Sequence, residues 1–320
     1  MQGDFFLTNW ILEAMRWIYS NIAGNEIVLT IIICTILLKC ITLFADIKSR
    51  KSSLQMQSIQ PQLDKLKKKY ENNPEKFQRE QSRIMKENGV SMLGGCLPLL
   101  IMMPLFFMFI AAFRFWGYEM TVRMLLELNE TPGHSELFQS FQFLWVHNIW
   151  QPDNGTVSVI QDAASFFATK DLHNLLYFQQ NPEAYAVFQQ LFPMEMVNGA
   201  PQYTEMAIAK YNELVAPLAE QYAGFSNGWF ILPILAGGTL FLSSWIMQKS
   251  PNSPKTSGND AAQSTNKAML YVMPIISIVA CLSANAAFAV YWVISSVVST
   301  ISNLLITRAF NKKNQTPEVA

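Results

Sequence analysis

The sequence predicts an all-α polytopic membrane protein with five transmembrane helices, a cytoplasmic helical hairpin and an extracellular helical insert. Three observations predict it. Of 320 residues, 51% are hydrophobic and only 14% carry a formal charge, against about 25% charged in soluble domains. Residues 268–306 run for 39 positions without one charge, which as helix is about 58 Å and enough to cross a roughly 30 Å hydrocarbon core twice. The net charge of zero conceals loops of opposite sign. Disordered, collagenous and coiled-coil classes are excluded by the same composition.

Residues 1–26 mix Phe5, Phe6, Trp10, Ile11, Trp17 and Ile18 with Glu13 and Arg16. That mixture suits an amphipathic helix lying in the outer interface, with an element of a soluble collar as the alternative. No basic stretch precedes a small-residue cleavage site there, so no cleavable signal is expected. Residues 27–47 form the first span. Thirteen of these 21 residues are Ile, Leu, Val or Phe, each favouring insertion by about 0.3–0.6 kcal/mol, against a cost of roughly 3 kcal/mol for a central Lys. Insertion wins despite Lys39.

Residues 48–91 read as a basic helical hairpin. Leu54, Ile59, Leu63, Leu66 and Tyr70 fall near helical spacing beside Lys65, Lys67, Lys68 and Lys69, and Asn72, Asn73 and Pro74 make the turn because Asn caps and Pro opens a helix well. The returning helix, 75–87, carries Arg79 and Arg83 and ends at Asn88 and Gly89, a good C-cap pair. These basic side chains are candidates to contact anionic lipid, RNA or a partner protein, or they form a plain solvated face.

The second span, 92–115, contains Pro98 and Pro104, tolerable where neighbours re-satisfy the backbone. Residues 116–227 form the extracellular segment. Its insert, 154–226, is punctuated by Asn181-Pro182, Phe192-Pro193 and Pro201, and 202–222 has the pattern of an amphipathic helix, so a small α-helical insert is expected. The third span is 228–247, followed by a cytoplasmic loop, 248–267. The fourth and fifth, 268–283 and 286–307, are joined by a tight turn at Ser283, Ala284 and Asn285, and the tail is 308–320.

With the spans as boundaries, residues 48–93 carry 11 basic and 5 acidic groups, 249–267 carry 3 and 1, and 308–320 carry 3 and 1, whereas 114–227 carry 4 basic and 12 acidic. By the positive-inside bias the first group faces the cytoplasm, which places the N-terminus outside and the C-terminus inside. The four cysteines, Cys34, Cys40, Cys96 and Cys281, form no CxxC pair, and the three histidines are scattered. No metal site, phosphate loop or nucleophile signature is present by motif.

On the first span Thr35, Lys39, Thr42 and Asp46 are spaced 4, 3 and 4, which places them on one helical face as a polar stripe within lipid. A water-filled recess open to the cytosol would need such a stripe. Thr239 and Ser243 on the third span, and Ser295 and Ser299 below Trp292 on the fifth, are candidates for further polar wall. The alternative for Lys39 is snorkelling to the cytoplasmic headgroups, a reach of about 12 Å along the helix.

Several stretches resemble the YidC/Oxa-type membrane protein insertases: Gly89-Val90, Gly95-Cys96-Leu97-Pro98, Met103-Pro104-Leu105-Phe106, Phe143-Leu144-Trp145 with Pro152-Asp153, Leu232-Pro233-Ile234-Leu235-Ala236-Gly237, Met273-Pro274 and Tyr291-Trp292. Their order is that of the family, and the five-span form resembles the versions of Gram-positive bacteria, which implies a bacterial plasma membrane as the location. The resemblance implies an insertase, not an enzyme, that receives nascent hydrophobic segments in a cytosol-open polar groove and releases them sideways into the bilayer. It implies no cofactor and no DNA partner, and it admits the ribosome, signal recognition machinery and Sec translocon as partners. Lys39 matches the family's groove cation, usually Arg, and so keeps the charge without the bidentate fork. Ser91-Met92 and Met103 also depart from the family's usual residues. A small secondary transporter, or a scaffold within a membrane complex, is the alternative from a different class.

Overall fold

The computed structural model describes residues 6–89, 97–169, 172–197, 199–249 and 268–315. The expected start of the second span at 92–96, with Cys96, and the loop from 250 to 267 lie outside the described residues, as do Phe5, Val90, Gly95 and the last residues of the tail.

The chain is helical almost throughout. In order come α1 (Phe6–Asn21), α2 (Ile27–Lys69), α3 (Pro74–Glu87), α4 (Leu97–Glu130), the short α5 (Glu136–Gln139), α6 (Ala163–Phe167) and α7 (Leu176–Gln180), then α8 (Pro182–Leu191), α9 (Glu205–Gln221), α10 (Ile231–Lys249), α11 (Met273–Ser283) and α12 (Ala286–Gln315). A π-helical turn, Ala268–Val272, leads into α11. Strands β1 (Met194–Val197) and β2 (Ala200–Tyr203) pair antiparallel, Met194 opposite Tyr203. Among the described residues Ile27–Lys48 and Ala286–Ala309 are long and apolar enough to cross a bilayer, and Ile231–Met247 and Leu270–Ser283 are shorter apolar helices.

Three elements differ from the expected pattern. Helix α2 continues unbroken through the exposed Pro61 to Lys69. Helix α4 runs to Glu130 rather than ending near 115, because Trp116, Met120, Val122, Leu125 and Leu128 are buried beyond that point and packing carries the helix on. The insert is not purely α-helical: residues 200–203 enter β2, and α9 starts at Glu205, where the Thr204 hydroxyl accepts from Ala207 N–H at 3.3 Å.

The chain forms two compact units. The first comprises residues 1–34, 107–234 and 279–291. Its core is aromatic: Tyr19 of α1 meets Trp116 edge-on at 5.7 Å, Trp116 meets Trp150 at 5.1 Å, and Phe109 stacks on Tyr291 at 5.1 Å. Such pairs add about 0.5–1.5 kcal/mol each beyond their buried area. In the insert Phe166 stacks on Tyr211, and Phe188 sits between Phe178 and Phe192. Arg16 of α1 is ion-paired with the buried Glu119 of α4, its Nε donating at 2.7 Å. Burial pushes the Glu119 carboxyl above its usual range, while Arg16 and Arg123 pull it back.

Asp153 is the polar centre of this unit. It is fully buried, and its carboxylate accepts four N–H groups. Oδ1 takes Trp229 and Phe230 backbone N–H at 2.7 and 3.1 Å, and Oδ2 takes Leu232 N–H at 2.6 Å and the Trp145 indole at 3.1 Å. Two of these donors are orphans at the N-terminus of α10, where a carboxylate also meets the favourable end of the helix dipole. The approach demands glycine at 228, because a Cβ there would occupy the carboxylate's space. It also holds Phe230 at φ 63°. Asn227 completes the tie, exchanging hydrogen bonds with the Asn148 backbone at 2.7 and 2.8 Å. At the turn between α11 and α12, Asn285 donates to the Phe113 carbonyl at 2.9 Å and caps α12 by accepting from Phe288 N–H.

The second unit comprises residues 35–106, 235–278 and 292–320. Here α2 and α3 pack antiparallel around Ile59, Leu63 and Met85, flanked by Met56 and Ile84. Asn73 caps α3 by accepting from Lys76 N–H at 3.1 Å, with Pro74 in its first turn. Gly89, at φ 64°, follows the Asn88 cap. Helices α10 and α11 approach so closely at Gly237 that a Cβ there would overlap Ile278 and come within 2.9 Å of the Pro274 carbonyl.

Candidate functional site

The polar stripe of α2 is turned inward. Thr35 is fully buried, Lys39 is 8% exposed, and Thr42 and Asp46 are half-buried. On the same turns Ile41 and Phe44 are 78% and 79% exposed, with Ile36, Leu37 and Leu43 exposed as well. The normal order of a water-soluble helix is inverted, which fits a surrounding solvent that is hydrocarbon. Other helices of the unit repeat the inversion. Leu242 and Trp245 of α10 are exposed while Thr239 and Ser243 are half-buried; on α11 Ile275 and Ile276 are exposed and Ser277 is buried. On α12 Val297, Ile301 and Leu305 are exposed, and Trp292, Ser295 and Ser299 are half-buried.

All nine polar-wall residues named from the sequence therefore fall in one compact unit. Their hydroxyls are not equivalent. Thr239 Oγ1 donates to the Leu235 and Ala236 carbonyls at 2.8 and 3.1 Å, and Thr42 donates to the Lys39 carbonyl at 3.3 Å, so both are spent on their own helices. Among the described residues Lys39 has no carboxylate within ion-pair distance. A buried cation without an ion pair costs several kcal/mol to hold, and the charge of Asp46 on the same helix offsets part of that cost.

Two polar residues escaped the sequence reading. Ser277 is 1% exposed and its hydroxyl has no partner among the described residues, while Thr307 is 6% exposed on α12. A lone hydroxyl residue in an apolar run carries no spacing signal, and only burial marks either one.

The basic residues named for the hairpin are spread over the end of α2 and α3. Lys65, Lys68, Lys69, Arg79 and Arg83 are exposed and Lys67 is half-buried. Arg83 pairs with Glu80 and Glu87 at 3.3 Å each, and Lys69 lies over the Tyr70 ring. Exposed pairs of this kind contribute about 0–1 kcal/mol and leave the face open to partners.

The short motifs also acquire physical roles. Trp145 and Asp153 hydrogen-bond to each other, Leu232 opens α10 on that same carboxylate, Gly237 and Pro274 are the close contact of α10 with α11, and Tyr291 stacks on Phe109.

Helices of crossing length with polar interiors and apolar exteriors define a helical integral membrane protein. The sequence profile of the family described as 60Kd inner membrane protein matches residues 17–314, and the chain belongs to that family, the YidC/Oxa family. It is similar to the membrane protein insertase YidC of Clostridium perfringens, at 39% identity over 168 residues, which are 50% of this chain and 63% of that protein. The insertase of Oceanobacillus iheyensis is 27% identical over 306 residues, 93% of this chain and 82% of that protein. That of Chlorobium phaeovibrioides is 37% identical over 144 residues, 45% of this chain and 21% of that protein. The chain thus spans less than two thirds of the Clostridium relative and about a fifth of the Chlorobium one. These findings make it a bacterial membrane protein.

Proposed function

We propose that this chain is a membrane protein insertase, with five transmembrane helices at 27–47, 92–115, 228–247, 268–283 and 286–307, its N-terminus outside and its C-terminus in the cytoplasm. The orientation follows from the excess of basic residues in 48–93 and of acidic residues in 114–227. One observation carries the mechanism: Lys39 is 8% exposed on a helix whose opposite face presents Ile41 and Phe44. A snorkelling lysine would lie along the exposed apolar surface, so burial supports an interior cation.

An acidic client tail crossing about 30 Å of hydrocarbon meets a prohibitive desolvation cost, and a wet polar recess along α2 shortens the dry path. At about 4 Å and an effective dielectric of about 20, the Lys39 ammonium would offer a carboxylate about 4 kcal/mol before desolvation is subtracted. That is enough to hold a tail transiently and too little to trap it. The apolar client segment then leaves sideways, driven by about 25 cal/mol per Å² of apolar surface removed from water. No bond is made or broken, no cofactor takes part, and the protein is not an enzyme. The clients are nascent membrane proteins. The exposed cations of the α2–α3 hairpin are the first contact for ribosome, signal recognition machinery, Sec translocon or client.

The test is rescue of a bacterium depleted of its own insertase. The wild-type chain restores growth and membrane insertion of a single-span client with an acidic tail. Failure to restore either, with the protein present in the membrane at normal abundance, overturns the reading.

A further inference from the structure

In the first unit a cavity of about 830 Å³ opens between α4, the loop 150–165 and the turn joining α11 to α12, a volume in the range of sites that hold a small organic molecule. Its wall changes character along its length. Ile110, Ala280 and Phe288 line it from the membrane helices, whereas Ser158 and Gln161 line it from the loop. Two charged side chains of opposite sign also line it, Arg114 and Asp162. They are not ion-paired to one another. Arg114 is exposed, rests against the Tyr118 ring, and has no carboxylate partner among the described residues. Asp162 caps α6, accepting from Ser165 N–H at 2.8 Å, and its hydrogen bonds with Ser165 hold the carboxyl below its usual range. Trp150, also in the wall, is 5% exposed, and its buried indole N–H has no partner among the described residues. A buried donor left this way is uncommon, but it has no accessible surface and so takes no part in the cavity's chemistry.

A purely anionic ligand would gain from Arg114 and lose to Asp162; a cation would do the reverse. A zwitterion whose phosphate meets the guanidinium and whose ammonium meets the carboxylate satisfies both. The apolar wall at Ile110 and Ala280 then suits the glyceride end of the same molecule. We propose that this cavity binds the headgroup of a phosphatidylethanolamine-class lipid. The proposal rests on the reading that α4, α11 and α12 cross the bilayer.

The test is native mass spectrometry of the full-length detergent-purified chain, offered phosphatidylethanolamine and phosphatidylglycerol of identical acyl composition at equal concentration. The wild type retains phosphatidylethanolamine about tenfold over phosphatidylglycerol, and O-phosphoethanolamine displaces it whereas inorganic phosphate does not. Asp162→Asn, which keeps a capping oxygen, brings the ratio to about one. Arg114→Gln weakens retention of both lipids about tenfold, and Arg114→Lys restores it, which separates loss of charge from loss of fold. Equal retention of both lipids by the wild type, an unchanged ratio in Asp162→Asn, or displacement by inorganic phosphate alone overturns the proposal. Insertion of the acidic-tailed client is measured on the same preparations. Equal retention of the two lipids by the wild type with intact insertion removes this inference alone, and selective retention by the wild type without insertion removes the insertase reading alone.

Discussion

Replacing Asp153 should be among the most damaging single changes outside the membrane helices. The side chain is fully buried and accepts from Trp229, Phe230, Leu232 and the Trp145 indole. Asp153→Ala leaves up to four donors, one buried and three partly buried, without an acceptor, and at about 1–3 kcal/mol for each that water does not reach the loss is about 4 kcal/mol. Asp153→Asn keeps the acceptor that serves Trp229 and Phe230 but sets an amide donor against the Leu232 and Trp145 donors, for a loss of about 2–4 kcal/mol. Trp145→Phe removes one bond and costs about 1 kcal/mol. At about 2–4 °C per kcal/mol for chains somewhat shorter than this one, Asp153→Ala lowers the melting temperature by about 10 °C. Circular dichroism of the detergent-purified protein reads this directly, in the order Ala, then Asn, then Trp145→Phe. A melt of Asp153→Ala within about 2 °C of wild type would refute the reasoning, since the local unit would then not depend on that carboxylate.

Other outcomes follow from the same geometry. Gly237→Val forces a side chain against Ile278 and the Pro274 carbonyl and costs about 1–3 kcal/mol, whereas Gly238→Ala, whose Cβ meets nothing within 4 Å, is tolerated; paired thermal melts check the contrast. Arg16→Met strands the buried Glu119 carboxylate and costs about 3–5 kcal/mol at neutral pH, and the double change Arg16→Met/Glu119→Leu recovers most of it. Glu119 is raised in the folded state, so the folded protein binds its proton more readily than the unfolded chain, and this group's contribution becomes less favourable as pH rises through the folded value. The melting deficit of Arg16→Met therefore shrinks on going from about pH 8 to about pH 5, and a deficit independent of pH contradicts the assignment. Met85→Ala opens the hairpin core at Ile59 and Leu63, costs about 2–5 kcal/mol, and speeds amide exchange across 74–87 ahead of the rest of the chain.

Much of this was legible in the sequence where a signal was local. The four residues of the α2 stripe share a face because 3.6 residues complete a turn, and the Asn73-Pro74 start of α3 and the turn at Ser283 to Asn285 follow from capping and turn chemistry. What escaped was non-local. Asp153 is 79 residues from Leu232, and nothing in a Pro-Asp pair announces the helix it will cap. The expected end of the second span is at 115, yet α4 continues to Glu130, where Arg16 of a distant helix pairs with Glu119 and the apolar residues beyond it are buried. The β1–β2 ribbon, two strands of four residues with mostly exposed side chains, offers no alternation to read. Ser277 shows the limit inside the candidate site, where a lone hydroxyl in an apolar run has no spacing signal and only its burial marks it.

The central claim is that a buried positive charge on α2 receives acidic client segments, and insertion into liposomes containing only this purified chain tests it most directly. A single-span client with an acidic tail, presented to wild type, Lys39→Arg and Lys39→Leu, should insert with wild type and Arg and fall about tenfold with Leu, while a client with a neutral tail is affected far less. Equal insertion of the acidic client by all three proteins would contradict the account and reduce Lys39 to a residue that merely tolerates its place.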